Sequence, residues 1–399
     1  MSIKYHINPQ RGPLICSASS PERCKYGVDA KHFESTEEAL TEWEKELSGT
    51  YGSFNVSSKV VTPSNPKVKQ EFFSSFEGMD FHKIQSFANS SKENFKILGE
   101  VIDERIEGAK QLSINIAEIN PYSDSSTRKC DKETYSSIMR SFNDYKDRTA
   151  ELVDAHTESK FYKSLVEDAD PDFINNAEKV ASLVPNTQEW LDNRANYVGG
   201  SDVGILAIHD FMKNDEKPFY ADSALKNIES SKQGNGATSI IGLHGDYTRQ
   251  GPAYRGTVWE PRIRDSYAED HPEFRVLNVK GQYKNKDREW QQVNFDGILI
   301  KDGETEPSGV LEIKTASDGK SWDKGVPVNY RAQTLYYLNA TGLKFADVRV
   351  VINDHETRDF RIHAHEDIVP GSGINMETYI NTRVKPWFDE MKSKRKASV

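Results

Sequence analysis

Three cysteines in 399 residues are too few, and too odd in number, to frame a fold with disulfides. They fit a reducing, cytoplasmic setting. No apolar run approaches the roughly 20 residues that a bilayer-crossing helix requires. The N-terminal Met-Ser-Ile-Lys-Tyr-His-Ile-Asn-Pro lacks the apolar stretch of a signal peptide. Positive charge is also short, with 52 Lys and Arg against 62 Asp and Glu and a formal net charge of −10. That balance excludes a protein that coats nucleic acid by charge alone, but it leaves room for a local basic channel. Arg249, Arg255, Arg262 and Arg264 cluster in sequence and are candidates for one. Lys392, Lys394, Arg395 and Lys396 form a basic tail that reads first as a solvated helix end.

What is present is a chain long enough for two or three domains, 36% hydrophobic and 29% charged, as expected of a globular protein. Residues 1–52 read as a small unit in which Ser35-Thr36-Glu37-Glu38 is a capping box before Leu40, Trp43 and Leu47. His6, Cys16, Cys24 and His32 have the chemistry to ligate zinc, but their spacing fits no compact knuckle. Tyr51–Pro66 reads as a linker. Residues 67–184 read as mainly helical, without a catalytic constellation. Phe95, Leu98, Val101, Ile102 and Ile106 mark one amphipathic helix, and Tyr135, Ile138, Met139, Phe142 and Tyr145 mark another. Leu152, Phe161, Tyr162 and Leu165 continue that helix or begin a further one.

Residues 185–399 alternate between strand and helix, with strands expected at Phe274–Val279, Trp290–Phe295, Ile298–Lys301, Val310–Thr315, Val348–Asn353 and Phe360–His365. Helices are expected over Asp202–Ile208, Pro261–Ala268, Val328–Ala340 (stopped by Gly342) and Met376–Lys392, the last kinked at Pro386. Glu229–Gly256 is glycine-rich and reads as a long loop. Two features stand out in this half. Asp296 opens one apolar run, and Glu312 and Lys314 interrupt another while sharing a strand face. A carboxylate and an ammonium in a buried β-run are costly unless something there needs them. Two acids and a lysine at the edge of a hairpin can hold a divalent metal and meet a phosphate, although Glu-x-Lys also occurs as a solvated salt-bridged face.

Asp296 … Glu312-Ile313-Lys314 resembles the signature of the PD-(D/E)XK nucleases, with the proline replaced by Phe295. From Glu189 onward the chain resembles the YqaJ/RecE family of viral recombination exonucleases, the lambda-exonuclease type, in four ordered blocks. These are Glu189-Trp190-Leu191-Asp192-Asn193-Arg194 with Gly199-Gly200-Ser201-Asp202, then Gly256-Thr257-Val258-Trp259-Glu260-Pro261, then the hairpin, and last Tyr330-Arg331-Ala332-Gln333-Thr334-Leu335-Tyr336-Tyr337. The resemblance implies a restriction-endonuclease-like α/β core, a mixed central sheet flanked by helices, preceded here by the mainly helical region. It implies a metal-dependent 5′-to-3′ exonuclease acting on linear double-stranded DNA and leaving a 3′ single strand for annealing. It also implies a phage- or prophage-encoded protein in a bacterial cytoplasm, an annealing protein as partner and a ring of subunits around DNA.

On this reading Glu260, Asp296, Glu312, Lys314 and Gln333 are catalytic. Glu260, Asp296, Glu312 and the Ile313 carbonyl are the metal ligands, and Arg194, Ser201 and Tyr337 bind substrate. Oxygen donors favour Mg²⁺ or Mn²⁺, two ions by expectation. Lys314 positions or deprotonates the attacking water and stabilises the phosphate.

Each residue has a plainer alternative. Glu260 is half of a capping box with Thr257, or Ser201 is an N-cap. Gln333 and Tyr337 are one polar helix edge, or Arg194 pairs with Asp192 or Asp202. Asp287, where a further acid of the pattern falls, lies in a polar turn. An internally cutting endonuclease of the same superfamily, or a non-catalytic DNA-binding module, are the rival functions.

Overall fold

The structure is a computed structural model. It describes residues 79–124, 126–127, 129–169, 171–180, 193–213, 217–218, 220–234 and 251–397, and the backbone of five short strands nearer the N-terminus. Those strands are β1 (Lys4–Asn8), β2 (Gly12–Cys16), β3 (Lys31–Phe33), β4 (Phe54–Asn55) and β5 (Val60–Val61), the last two falling within the stretch expected to be a linker. The capping box at Ser35–Glu38 and the His6, Cys16, Cys24 and His32 side chains lie outside the described residues. Among the described residues no helix is long and apolar enough to cross a membrane.

The chain divides into two compact units. One comprises Met1–Lys163, Thr248–Trp259 and Ile352–Glu356, and the other Ser164–Tyr247, Glu260–Val351 and Thr357–Val399. The first is built on α1 (Phe81–Ser90), α2 (Lys92–Ile119) and α3 (Lys132–Thr157), whose N-termini are capped by Asp80, Ser91 and Asp131. The helical periodicity read from the sequence is the buried face: Leu98, Val101, Ile102, Ala109 and Leu112 on α2, and Phe142, Tyr145 and Val153 on α3. Arg105 sits inside that face, donating from Nε to Thr149 Oγ1 at 2.8 Å and from Nη2 to the Tyr145 carbonyl at 2.9 Å. Helix α3 stops at Thr157, so Phe161 and Leu165 neither extend it nor begin another, and Leu165 is exposed.

The second unit is mixed α/β. Its six-stranded sheet has the order β15-β14-β13-β12-β9-β6, from β6 (Glu167–Ala169), β9 (Phe274–Val279), β12 (Gly297–Lys301), β13 (Gly309–Ala316), β14 (Phe345–Ile352) and β15 (Glu356–His363). β12 runs antiparallel to β9 and β13, and β6 runs parallel to β9, which makes the sheet mixed. Strand β6 comes from a stretch expected to be helical. Residues 297–300 and 309–313 are buried without alternation, the pattern of strands covered on both faces. A smaller sheet, β11-β10-β8-β7, joins β7 (Phe173–Ile174), β8 (Ala177–Lys179), β10 (Tyr283–Asn285) and β11 (Gln292–Val293). Only Gln292–Val293 of the strand expected over Trp290–Phe295 is therefore β, and it lies in this second sheet.

The helices of this unit differ from expectation at their ends. α4 spans Gly200–Phe211, α5 spans Ala221–Lys232, and α6 spans Gly251–Asp270. Both ends of the expected loop Glu229–Gly256 are thus helical. Pro261 lies inside α6 rather than at its start, and Thr257 is mid-helix, so Thr257 and Glu260 form no capping box. α7 (Val328–Thr341) ends at Gly342, as expected. The C-terminal helix is interrupted: α8 (Met376–Tyr379) passes through a π turn, Ile380–Val384, into α9 (Lys385–Ala397). The wide turn stands directly before Pro386, whose missing N–H would leave a gap in a regular helix.

Candidate active site

The β12–β13 hairpin gathers the acids. Asp296 immediately precedes β12, and its Oδ2 accepts the Ile313 backbone N–H of β13 at 2.7 Å. On β13, Glu312 and Lys314 share a face and form an ion pair, with Lys314 Nζ also 3.2 Å from the Ile313 carbonyl. Glu312 is only 1% exposed. Its Oε1 accepts from Lys314 and, at 2.7 Å, from Gln333 Nε2, whereas its Oε2 is buried with no hydrogen-bond partner. An unpartnered buried carboxylate oxygen is the costly member of such a network.

Glu260 and Arg264 stand one turn apart on α6 and pair with each other. Arg264 also donates from Nε to the Asp296 carbonyl at 2.6 Å, tying that helix to the hairpin. Burial and the neighbouring Asp296 push the Glu312 carboxyl up to about 8 and the Glu260 carboxyl up to about 7. Burial alone would lower Lys314, but Glu312 and Asp296 more than offset it and hold the ammonium above the usual lysine range. Lys314 also lies 5.2 Å over the Tyr330 ring, which stacks in turn on Trp322.

Three carboxylates face two cations here, an excess of negative charge. The buried Glu312 oxygen, the Asp296 carboxylate and the Ile313 carbonyl are hard donors of the kind that suits Mg²⁺ or Mn²⁺. Among the described residues no three His, Cys, Asp or Glu side chains are arranged to hold a metal together. Arg264 and Lys314 engage two of the acids instead.

Helix α7 carries the supports. Gln333 donates to the Tyr337 hydroxyl at 2.7 Å as well as to Glu312. Tyr337, expected among the substrate-binding residues, is buried with its ring edge against Phe295, which makes it a prop for Gln333. The start of α4 lies directly on this pair. A Cβ at Gly200 would sit 2.4 Å from Tyr337 Cε1 and 2.9 Å from Gln333 Cγ, and one at Gly204 would sit 2.7 Å from the Asn329 carbonyl. Only glycine allows so close an approach.

A second charged group surrounds Asp202 at that same helix start. Lys232, 1% exposed at the end of α5, lies 2.8 Å from Asp202 Oδ2 and donates to the Arg194 carbonyl at 2.7 Å. Arg194 Nη2 is 3.6 Å from Asp202 Oδ1, and the Gly199 N–H donates to Oδ2 at 2.9 Å. Burial would raise Asp202, but Lys232 and Arg194 more than offset it and hold the carboxyl below its usual range. Ser201 is exposed in the first turn of α4, one residue inside the helix, and Gly199 rather than Ser201 is the cap residue.

Asp287 is exposed in a turn, as read from the sequence, its backbone N–H bonded to Asn285 Oδ1. Other expectations about single residues change. Arg255 and Arg264, expected to line a basic channel, are buried in ion pairs with Asp147 and Glu260. Glu189, Trp190, Leu191, Asp192 and Arg249 lie outside the described residues. Sequence reasoning gave no role to Tyr330 or Lys232, and did not foresee Arg264 as the partner of Glu260. Tyr330 was visible as the first residue of its block and Arg264 as the i+4 neighbour of Glu260. Lys232 left no local signal, because its partner stands on another helix.

Residues 189–344 match the model of the YqaJ-like viral recombinase domain. That match supports a nuclease role. An alkaline exonuclease (LHK-Exo) from Laribacter hongkongensis is 18% identical, with 53% of this chain and 95% of that chain covered at a TM-score of 0.38. The structure of LHK-Exo in complex with dAMP is similar at 17% identity, 53% and 95% coverage and a TM-score of 0.37. No curated protein matches the chain.

Proposed function

We propose that this chain is a metal-dependent 5′-to-3′ exonuclease. It degrades one strand of linear double-stranded DNA and leaves the other as a 3′ single strand for recombination by annealing. The observation that carries the reading is Glu312, buried between Lys314 and Gln333 with one oxygen unpartnered, on a hairpin whose other strand is led by Asp296. Asp296, Glu312 and the Ile313 carbonyl would hold Mg²⁺ or Mn²⁺, and Glu260 a second ion. When bound, such ions activate water and neutralise the phosphate. Gln333 fixes the Glu312 oxygen it shares with Lys314, which leaves the other oxygen open. Lys314, held cationic by two acids, stabilises charge developing on the phosphate; in that state it has no lone pair with which to act as a base.

Arg194 and Ser201 would receive the terminal 5′-phosphate. Their region carries two cations against one carboxylate, and the start of α4 adds the positive end of a helix dipole. The same reading includes an annealing protein as partner and a ring of subunits as the working form.

Digestion of linear duplexes labelled at either end tests it. Hydrolysis should be lost in EDTA, restored by Mg²⁺, proceed from the 5′ end, and leave closed circular duplex intact. Cutting of the closed circle would instead make the chain an endonuclease, and release from the 3′ end would remove the phosphate pocket. Failure to hydrolyse DNA in Mg²⁺ or Mn²⁺ would leave a binding module.

A further inference from the structure

Arg264 is buried, with its side chain 6% exposed, and makes two contacts in this site. Its Nη2 pairs with the Glu260 carboxylate and its Nε takes the Asp296 carbonyl at 2.6 Å. Asp296 is thereby held at both ends, by Arg264 at its carbonyl and by the Ile313 N–H at its carboxylate. A planar guanidinium can span a side chain and a backbone oxygen in this way, whereas an ammonium acts as a point charge.

We propose that Arg264 is a positioning residue of the nuclease site, fixing Glu260 and the Asp296 backbone relative to one another while supplying Glu260 with the countercharge that a bound cation would otherwise supply. This rests on the reading of these acids as metal ligands. Two opposed consequences follow. The guanidinium charge repels a divalent ion, so its removal tightens metal binding. It also sets the geometry of two ligands, so its removal slows turnover. A residue that served only to hold the fold would weaken both together.

The test uses the full chain as wild type, Arg264→Gln and Arg264→Lys. Mg²⁺ affinity is measured by calorimetry without DNA, and kcat and KM on linear duplex at saturating Mg²⁺. Arg264→Gln should bind Mg²⁺ roughly tenfold or more tighter, the scale on which one nearby charge shifts a buried site. Its kcat should fall at little-changed KM. Arg264→Lys should keep the wild-type Mg²⁺ affinity and still lose kcat, because lysine cannot span both oxygens. Wild-type Mg²⁺ binding with no gain in Arg264→Gln, or undiminished kcat in either variant, overturns this inference alone. A wild type that binds neither Mg²⁺ nor Mn²⁺ overturns the metal-ligand reading and this inference with it. If Arg264→Gln does not melt cooperatively, Arg264→Lys decides, and full wild-type kcat in it overturns the proposal.

Discussion

Two groups of buried charge stand in the α/β unit, built from the same ingredients with opposite balance. Around Asp202, one carboxylate faces Lys232 and Arg194, and its carboxyl is held below the usual range. Around Glu312, three carboxylates face Arg264 and Lys314, and two of them are pushed up to about 7 and about 8. The first group has cation to spare, although Asp202 Oδ1, like Glu312 Oε2, is buried without a hydrogen-bond partner. The second carries a surplus of acid, an arrangement that costs stability and that, on the proposed reading, an added cation would complete. Burial and an unpartnered oxygen are thus common to both groups, and the sign of the surplus is what differs.

Neutralising one charge in each group should separate them most sharply. Lys232→Met leaves Asp202 buried beside a single, more distant cation. Breaking such a pair costs about 3–5 kcal/mol. A urea melt should show that loss, and a variant as stable as wild type would mean that Lys232 is not the ion that offsets Asp202. Glu312→Gln relieves a surplus instead. Its stability should match or exceed wild type at alkaline pH, while nuclease rate falls roughly 10²–10³-fold, as for removal of one preorganised electrostatic contact. A stability loss as large as that of Lys232→Met would erase the contrast.

Smaller is the effect expected at the anion side. Arg194→Ala should reduce preference for 5′-phosphate over 5′-hydroxyl duplex ends by about 10-fold or more, the worth of one charge-assisted hydrogen bond. Equal rates on the two ends in wild type would remove its basis.

The finest effect concerns pH. Glu260 and Glu312 sit above their ordinary value of 4.5 in the folded chain. Their contribution to stability is therefore complete in acid and is lost as pH rises through about 7 and about 8. In EDTA, Tm should fall between about pH 5 and about pH 8, and Mg²⁺ should restore more of it at the alkaline end. A Tm that is level across that window would contradict the acid surplus.

How much of this could be read from the chain depended on distance along it. The hairpin was legible because a strand puts Glu312 and Lys314 on one face, and the apolar residues around them mark the strand itself. Helices α2 and α3 were legible for the analogous reason at helical spacing. Helix α6 was misjudged because Pro261 looks like a start. The helix continues through it with buried residues on either side, Tyr254 and Val258 before and Ile263 and Tyr267 after, and packing outweighs the lost bond. Strand β6 is three residues long, two of them exposed, and exists only because β9 offers it an edge. Contacts that form across elements, such as the Lys232–Asp202 ion pair and the Arg264 bond to the Asp296 carbonyl, had no spacing by which to be found.

The contact of Gly200 with Tyr337 and Gln333 has a consequence for which substitutions the chain can accept. Position 200 carries no functional group, yet the smallest side chain there would collide with a ring that supports the Glu312 partner. In a saturation library selected for nuclease activity, Gly200 should tolerate as little variation as Glu312. Even alanine would be depleted there, for want of volume rather than of charge.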